Sequence, residues 1–200
     1  MSRIPGSINV GLVAALLVAT FLTAFTAGSL VDDLQDYKPV YSLGSGKEDW
    51  WVKYPDQSPK ANAQVNHLSW VIDALKDKPV IILVHSTNCK ACKVQMKDLD
   101  LVLSVYGNDL HYYDMNADVI SEKVMDVLNA YYPNAGMPMV PTTVMLTLVK
   151  DTDGKVTVGW HSMDDAMGED VVASYVKDAV YYYRQNSADW NKWIATCKIP

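Results

Sequence analysis

The chain has 200 residues, of which 50% are hydrophobic and 20% are charged, a composition typical of a globular domain with a substantial core. Its formal net charge is −6 and it has no basic stripe, so we expect no nucleic-acid partner. Three cysteines are too few for a small fold that depends on several disulfides.

The first predicted element is a membrane span. Residues from Ile8 to Leu30 are almost all apolar, and Arg3 is the only charged side chain before Asp32. A helix needs about 20 apolar residues to cross a bilayer, so residues 1–31 are predicted to be a single-pass signal anchor in contact with the membrane through residues 8–30. The positive charge before the span predicts a cytoplasmic N-terminus and an extracytoplasmic body. A cleaved signal peptide and a secreted form are the alternative, because Ala27-Gly28-Ser29 resembles a cleavage site.

Residues 32–63 are predicted to be a spacer. The turn signal Gly44-Ser45-Gly46 and several prolines argue against a helix in this region. The run Trp50-Trp51-Val52-Lys53-Tyr54 predicts an edge strand, or a flap that lies on the following domain.

From residue 64 onward, helical and strand patterns alternate. Apolar residues at helical spacing predict a helix from Val65 to Leu75, and the apolar run Val80–Val84 predicts a buried strand. The elements predicted next are a helix that follows the paired cysteines and ends near Gly107, a strand Leu110–Met115, a helix Val119–Tyr132, a strand Thr142–Val149, a strand Lys155–Trp160 after the turn at 151–154, and a helix Gly168–Arg184. This order predicts an α/β fold with a mixed sheet and helices on both faces. Residues 186–200 are predicted to be a C-terminal tail that contains Cys197.

Chemical function is concentrated in Cys89-Lys90-Ala91-Cys92, which lies between the first predicted strand and the following helix. A helix N-terminus and neighbouring lysines favour the thiolate form of Cys89, and the thiolate is the form that attacks disulfides. An inert structural disulfide and a zinc site are the alternatives. Zinc needs about four nitrogen or sulfur ligands, and neither a second such motif nor a suitable histidine pair is present, so we expect no metal. His85, four residues before Cys89, is a candidate for proton transfer, with a core histidine as the alternative.

Residues 64–185 resemble the thioredoxin superfamily. The resemblance depends on the strand Val80–Val84, the Cys89-Lys90-Ala91-Cys92 motif, Val140-Pro141-Thr142 before a later strand, and a hairpin followed by a final helix. It implies a thioredoxin-like fold in which Pro141 is cis and lies against the disulfide, while the backbone of Val140 pairs with an extended substrate peptide.

The same resemblance implies the roles of the cysteines. Cys89 would be the attacking nucleophile and Cys92 the resolving residue, with no cofactor beyond the redox-active Cys89–Cys92 disulfide. Cysteine-containing client proteins and a redox partner that recycles the pair are the implied partners. The expected function is that of a membrane-anchored extracytoplasmic thiol–disulfide oxidoreductase.

Several positions depart from the family pattern, among them Lys90-Ala91, which matches neither the dipeptide of reducing thioredoxins nor those of oxidising relatives. Leu83 occupies the place of the buried acid that thioredoxins carry in the strand before the motif, and Asn88 replaces the aromatic residue before the first cysteine. The missing acid and the tryptophan-containing extensions favour a second hypothesis, namely a thioredoxin-fold binding or assembly subunit of a membrane complex with little or no redox turnover.

Overall fold

A computed structural model describes residues 34, 36–119 and 121–196, with side chains up to residue 192. The predicted membrane span at 8–30 and the third cysteine, Cys197, lie outside these described residues. Within the described part of the chain, no helix has both the length and the apolar character that crossing a bilayer requires.

The described chain folds into helices and strands in the predicted order. Their bounds are α1 Ser69–Ala74, β1 Val80–His85, α2 Lys90–Tyr106, a 3₁₀ turn Gly107–Asp109, β2 His111–Asn116, α3 Glu122–Tyr131, β3 Thr142–Lys150, β4 Val156–Met163 and α4 Glu169–Thr196. The strands form one sheet of order β2-β1-β3-β4. β1 runs parallel to β2 and antiparallel to β3, and β3 is antiparallel to β4, so the predicted mixed sheet is confirmed.

Each face of the sheet carries its own hydrophobic core, because successive side chains of a strand point to opposite faces. Val80, Ile82 and Val84 pack in a cluster with side chains of α1 and α3. Ile81 and Leu83 pack in the other cluster, with side chains of α2 and α4. Helices therefore cover both faces of the mixed sheet, which is consistent with the thioredoxin-like α/β fold that the resemblance implies. β1 is fully buried, which explains its continuous apolar sequence.

Residues 36–63, here called the strap, cross the outer edge of β4. The N–H of Trp51 donates to the carbonyl of Trp160 at 2.7 Å, and the N–H of Trp160 donates back at 2.8 Å. Trp51 and Trp160 form an isolated bridge and not a strand pair. The strap is therefore the predicted flap and not the predicted edge strand. Trp50 and Trp51 are fully buried, and they enter opposite cores because they are adjacent in an extended segment.

Two predicted helix ends are wrong. α1 begins at Ser69 rather than near Val65, because Gln64 pairs with Lys53 of the strap and the N–H of Leu68 donates to the hydroxyl of Tyr131. These tertiary hydrogen bonds hold residues 64–68 outside the helix.

α4 does not end near Arg184 but continues to Thr196. Asn186 is buried and its Nδ2 donates to the carbonyl of Leu148 at 2.9 Å, which joins this part of the helix to β3. Trp190 is buried in the same core as Trp51. The beginning of the predicted tail is thus a continuation of α4 that packs on the domain.

Candidate active site

The two cysteines of the motif lie at the junction between β1 and α2. Cys89 is the N-cap residue of α2, and its Sγ accepts a hydrogen bond from the N–H of Cys92 at 3.0 Å. The first N–H groups of a helix have no partner inside the helix, so the sulfur takes the place that an N-cap side-chain oxygen usually holds. The partial positive charge of the helix N-terminus therefore acts directly on the Cys89 sulfur.

Cys89 and Cys92 form a disulfide, with their Cα atoms 5.2 Å apart. Cys89 is partly exposed, whereas Cys92 is 0% exposed on the inner side of α2. Another thiol can thus reach the sulfur of Cys89 but not that of Cys92. Lys90 and Lys93 are exposed in the first turn of α2 and add positive charge near the pair.

The Val140–Pro141 peptide is cis, as the resemblance implied. The carbonyl oxygen of Val140 lies 3.5 Å from Sγ of Cys89, so the loop before β3 contacts the disulfide. Pro141 is buried and Val140 is partly exposed. The structure therefore brings together Cys89, Cys92, Val140 and Pro141.

His85 is the last residue of β1, and it pairs with an acid that the sequence analysis missed. Its Nε2 lies 2.6 Å from Oδ1 of Asp114 on the parallel strand β2. The residue is 9% exposed, and its Nδ1 is buried with no hydrogen-bond partner among the described residues. The Asp114 side chain is 45% exposed, so the pair reaches from the interior to the solvent.

A second acid fixes the loop between β1 and Cys89. Oδ2 of Asp118 accepts a hydrogen bond from the N–H of Thr87 at 2.8 Å. Hydrogen bonds from the side chain and the backbone of Thr87 lower the pKa of Asp118 from its ordinary value. The ionised carboxylate therefore stabilises the loop that positions the first cysteine.

Exposed apolar side chains lie close in sequence to Cys92 and to Pro141. Met137 and Met139 are 85% and 56% exposed, and they directly precede the Val140–Pro141 peptide. Val94, which follows Cys92 in α2, is also exposed. These three exposed side chains are here called the apolar rim. The described residues contain no group of three His, Cys, Asp or Glu side chains that could hold a metal ion.

No family model and no curated protein matches the chain. Among solved structures, it is similar to a thiol:disulfide interchange protein of the thioredoxin family from Chlorobium tepidum TLS, with 16% identity, coverage of 54% of this chain and 83% of that one, and a TM-score of 0.41. A thioredoxin-like protein from Clostridium perfringens gives 22% identity, coverage of 54% and 75%, and a TM-score of 0.39. Mitochondrial thioredoxin 3 from Saccharomyces cerevisiae gives 16% identity, coverage of 55% and 86%, and a TM-score of 0.37. Such distant likenesses say nothing of substrate or partner.

Proposed function

We propose that the chain is a protein thiol–disulfide oxidoreductase that exchanges disulfides with cysteine-containing client proteins. The observation that carries this proposal is the asymmetry of the pair. Cys89 is partly exposed at the N-terminus of α2, with its sulfur 3.5 Å from the Val140 carbonyl, while Cys92 is fully buried. An inert structural disulfide needs neither the helix N-terminus nor the exposed sulfur.

The proposed reaction proceeds in two exchanges. In the reduced protein, the Cys89 thiolate attacks a client disulfide, a new bond joins Cys89 to one client sulfur, and the other client sulfur leaves as a thiolate. The sulfur of Cys92 then attacks Cys89 and releases the second client sulfur. The protein ends oxidised and the client reduced by two electrons, and the reverse sequence oxidises a client dithiol. A redox partner must restore the starting state, and the disulfide itself is the only redox group that this reaction needs.

We infer that the client binds as an extended peptide beside Pro141, with its backbone paired to that of Val140. Val140 is partly exposed and its carbonyl lies next to the attacking sulfur, which supports this placement. The apolar rim would contact client side chains on either side of the reacting cysteine.

The proposed location is the extracytoplasmic side of a membrane, with residues 8–30 as the anchor and the N-terminus in the cytoplasm. The length of the apolar sequence supports an anchor, and the single Arg3 before it supports this orientation. An oxidising compartment is also where protein disulfides persist. A cleaved and secreted form remains the alternative.

The function is tested with the full chain in detergent, by insulin reduction and by oxidation of a dithiol peptide. We expect activity in the wild type, none in Cys89→Ser, and covalent client adducts in Cys92→Ser, because the buried sulfur can no longer release the client. A wild-type protein no more active than Cys89→Ser would contradict the proposal.

A binding or assembly subunit is the second candidate, and the apolar Leu83 on the α2 side of the sheet favours it. The tryptophan-containing extensions were the other argument for this role. Their burial weakens it, because the rings of Trp50, Trp51 and Trp190 pack on their own domain. A subunit would give one stoichiometric non-covalent partner and no adducts with Cys92→Ser.

A further inference from the structure

The second exchange of the proposed function, on which this inference rests, requires a group that accepts a proton from Cys92. Cys92 must lose its thiol proton before its sulfur can attack Cys89. The residue is 0% exposed, so the proton cannot pass directly to bulk water. Leu83, which packs on the α2 side of β1, is apolar and cannot accept it.

Three buried polar atoms lie on the side of the sheet that α2 covers. Among the described residues, Nδ1 of His85, Oγ1 of Thr143 and Nε2 of Gln95 have no hydrogen-bond partner. Thr143 pairs with Leu83 in the sheet, and His85 follows two residues later on β1, so these three side chains share one face. Gln95 and Cys92 are both on the buried side of α2, about one turn apart. Buried polar atoms in folded proteins almost always bind protein groups or ordered water.

The contact with Asp114 determines which nitrogen of His85 carries a proton. A carboxylate oxygen accepts hydrogen bonds, so Nε2, at 2.6 Å from Oδ1 of Asp114, carries the proton and donates it. In the neutral ring Nδ1 then has a free lone pair, and this atom is a buried acceptor. Because Asp114 is 45% exposed, it connects the ring to solvent.

We propose that the His85–Asp114 pair accepts the proton of Cys92 during the second exchange, through a water molecule held by Thr143 and Gln95. The S–H bond of Cys92 breaks, its proton passes through the water to Nδ1 of His85, and the carboxylate of Asp114 stabilises the resulting imidazolium. The Cys92 sulfur forms its bond to Cys89 as the bond between Cys89 and the client breaks. The client sulfur leaves with the electron pair and takes up a proton, and His85 returns its own proton to solvent beside Asp114.

The ionisable side chains that interact with His85 are acids. Asp114 lies on β2, and Asp118 lies in the loop after β2 and interacts electrostatically with His85. Cys92 lies on the buried side of α2, the helix that covers this face of the sheet. Thr143 on β3 does not titrate. Asp118 is exposed and binds Thr87, so it supports the loop and does not receive the proton.

The test separates the two exchanges with Ellman's reagent, which releases one chromophore when Cys89 attacks and a second when Cys92 attacks. Stopped-flow traces are recorded from pH 5 to 9 on the reduced full chain in detergent, with Cys197→Ala in every protein so that this thiol does not react. In His85→Gln we expect an unchanged first phase. We expect its second phase to be at least about tenfold slower near neutral pH, with a flattened pH profile, because a positioned base contributes about 10²–10⁴ in rate. Asp114→Asn should slow the same phase less.

The matched control is His111→Gln, because His111 makes a similar pair with Asp77 at 3.0 Å on the opposite end of β2. It should leave both phases unchanged. If His85→Gln does not fold, as judged by circular dichroism, Asp114→Asn at the more exposed position decides the question. A normal second phase and pH profile in the folded variants overturns the inference alone. Absence of the first phase in the wild type overturns the proposed function instead.

Discussion

His161 on β4 is held between two aromatic rings in the interior. Its ring centroid lies 4.2 Å from that of Tyr175 and 4.5 Å from that of Trp51. Nδ1 lies 2.9 Å from the carbonyl oxygen of Asp49, so this nitrogen carries a proton and donates a hydrogen bond to that oxygen. Burial lowers the pKa of His161 to about 4. A second proton would place a charge on the ring and leave the buried Nε2–H without an acceptor among the described residues.

Because His161 is buried in its neutral form, we expect the folded protein to lose stability in acid. The unfolded chain takes up the proton near pH 6.5 and the folded chain near pH 4, so stability is complete above pH 6.5 and is lost as the pH falls towards 4. Between pH 7.5 and pH 5 the loss from His161 is about 2 kcal/mol. Urea unfolding at both pH values measures it. His161→Gln should remove about half of the pH dependence, because burial also lowers the pKa of His67 to about 4, whereas His111→Gln should leave all of it. Equal pH dependence in wild type and His161→Gln would show that other groups are responsible.

The residues of the site differ in how far the sequence could identify them. Cys89, Cys92 and Pro141 were predicted because each belongs to a short motif next to a recognisable strand. Asp114 was missed, because its contact with His85 depends on the register between two parallel strands, which no local pattern records. His161 was missed for a similar reason, since its neighbours come from the strap and from α4.

A buried carboxylate of α4 binds several residues of the strap. Asp178 is 0% exposed and accepts four hydrogen bonds from strap residues. The donors are the hydroxyl of Tyr37 at 2.6 Å, the N–H groups of Val40 and Tyr41 at 2.9 Å each, and Nε1 of Trp50 at 3.3 Å. Burial and the hydrogen bond to Asp178 raise the pKa of Tyr37 above its ordinary value, so its hydroxyl keeps its proton.

Replacing this carboxylate should detach the strap. In Asp178→Asn the amide offers one acceptor oxygen in place of two, and its NH₂ group faces donors. We expect the free energy of unfolding to fall by about 3–5 kcal/mol, because hydrogen bonds to a charged acceptor are worth about 1.5–3 kcal/mol each and a buried donor left without an acceptor costs about 1–3 kcal/mol. Tyr37→Phe is the matched control, since it removes a single hydrogen bond to the carboxylate, worth about 1.5–3 kcal/mol. Urea unfolding compares the two variants, and equal losses would mean that the other three bonds contribute little.

The helices and strands were predicted well where their apolar residues recur at helical or strand spacing. The C-terminal end of α4 shows why some helix ends were not. Its apolar stripe is interrupted by Asn186, a polar residue that the sequence pattern treats as the end of the helix. In the fold this side chain is buried because it reaches the carbonyl of Leu148, so a tertiary hydrogen bond replaces the missing apolar contact.

At the scale of the whole molecule, the proposed anchor and the domain are separated by a very short connection. The apolar sequence ends at Leu30, and Leu34 already packs against Val180 of α4. The strap was predicted as a spacer because its glycines and prolines indicate turns, with an edge strand or a flap at Trp50–Tyr54. Its attachment depends on contacts with β4 and α4 that are distant in sequence.

The proposed anchor predicts that the protein stays in the membrane of a bacterial expression host with its domain outside the cytoplasm. The full chain should stay in the membrane pellet after alkaline extraction, and a membrane-impermeant maleimide applied to spheroplasts should label reduced Cys89. Deletion of residues 8–30 should release the protein, because the apolar span is the proposed membrane contact. Intact mass separates the alternatives: a chain beginning at Met1 indicates an anchor, and one beginning after Ser29 indicates a cleaved leader. Labelling only after cell lysis would contradict the orientation.

The hydrogen bond between Tyr37 and Asp178 spans 141 positions of sequence, and this has a consequence for biosynthesis. The ribosome releases Trp50 and Trp51 long before it has made Trp160 and the carboxylate that receive them. During translation two adjacent indoles are therefore left without their burial sites, and both cores can close only when the last helix emerges. Because contacts so distant in sequence form late, the nascent chain exposes hydrophobic surface and is prone to aggregate until translation ends. A chaperone that binds unfolded chains should therefore raise the yield of folded protein.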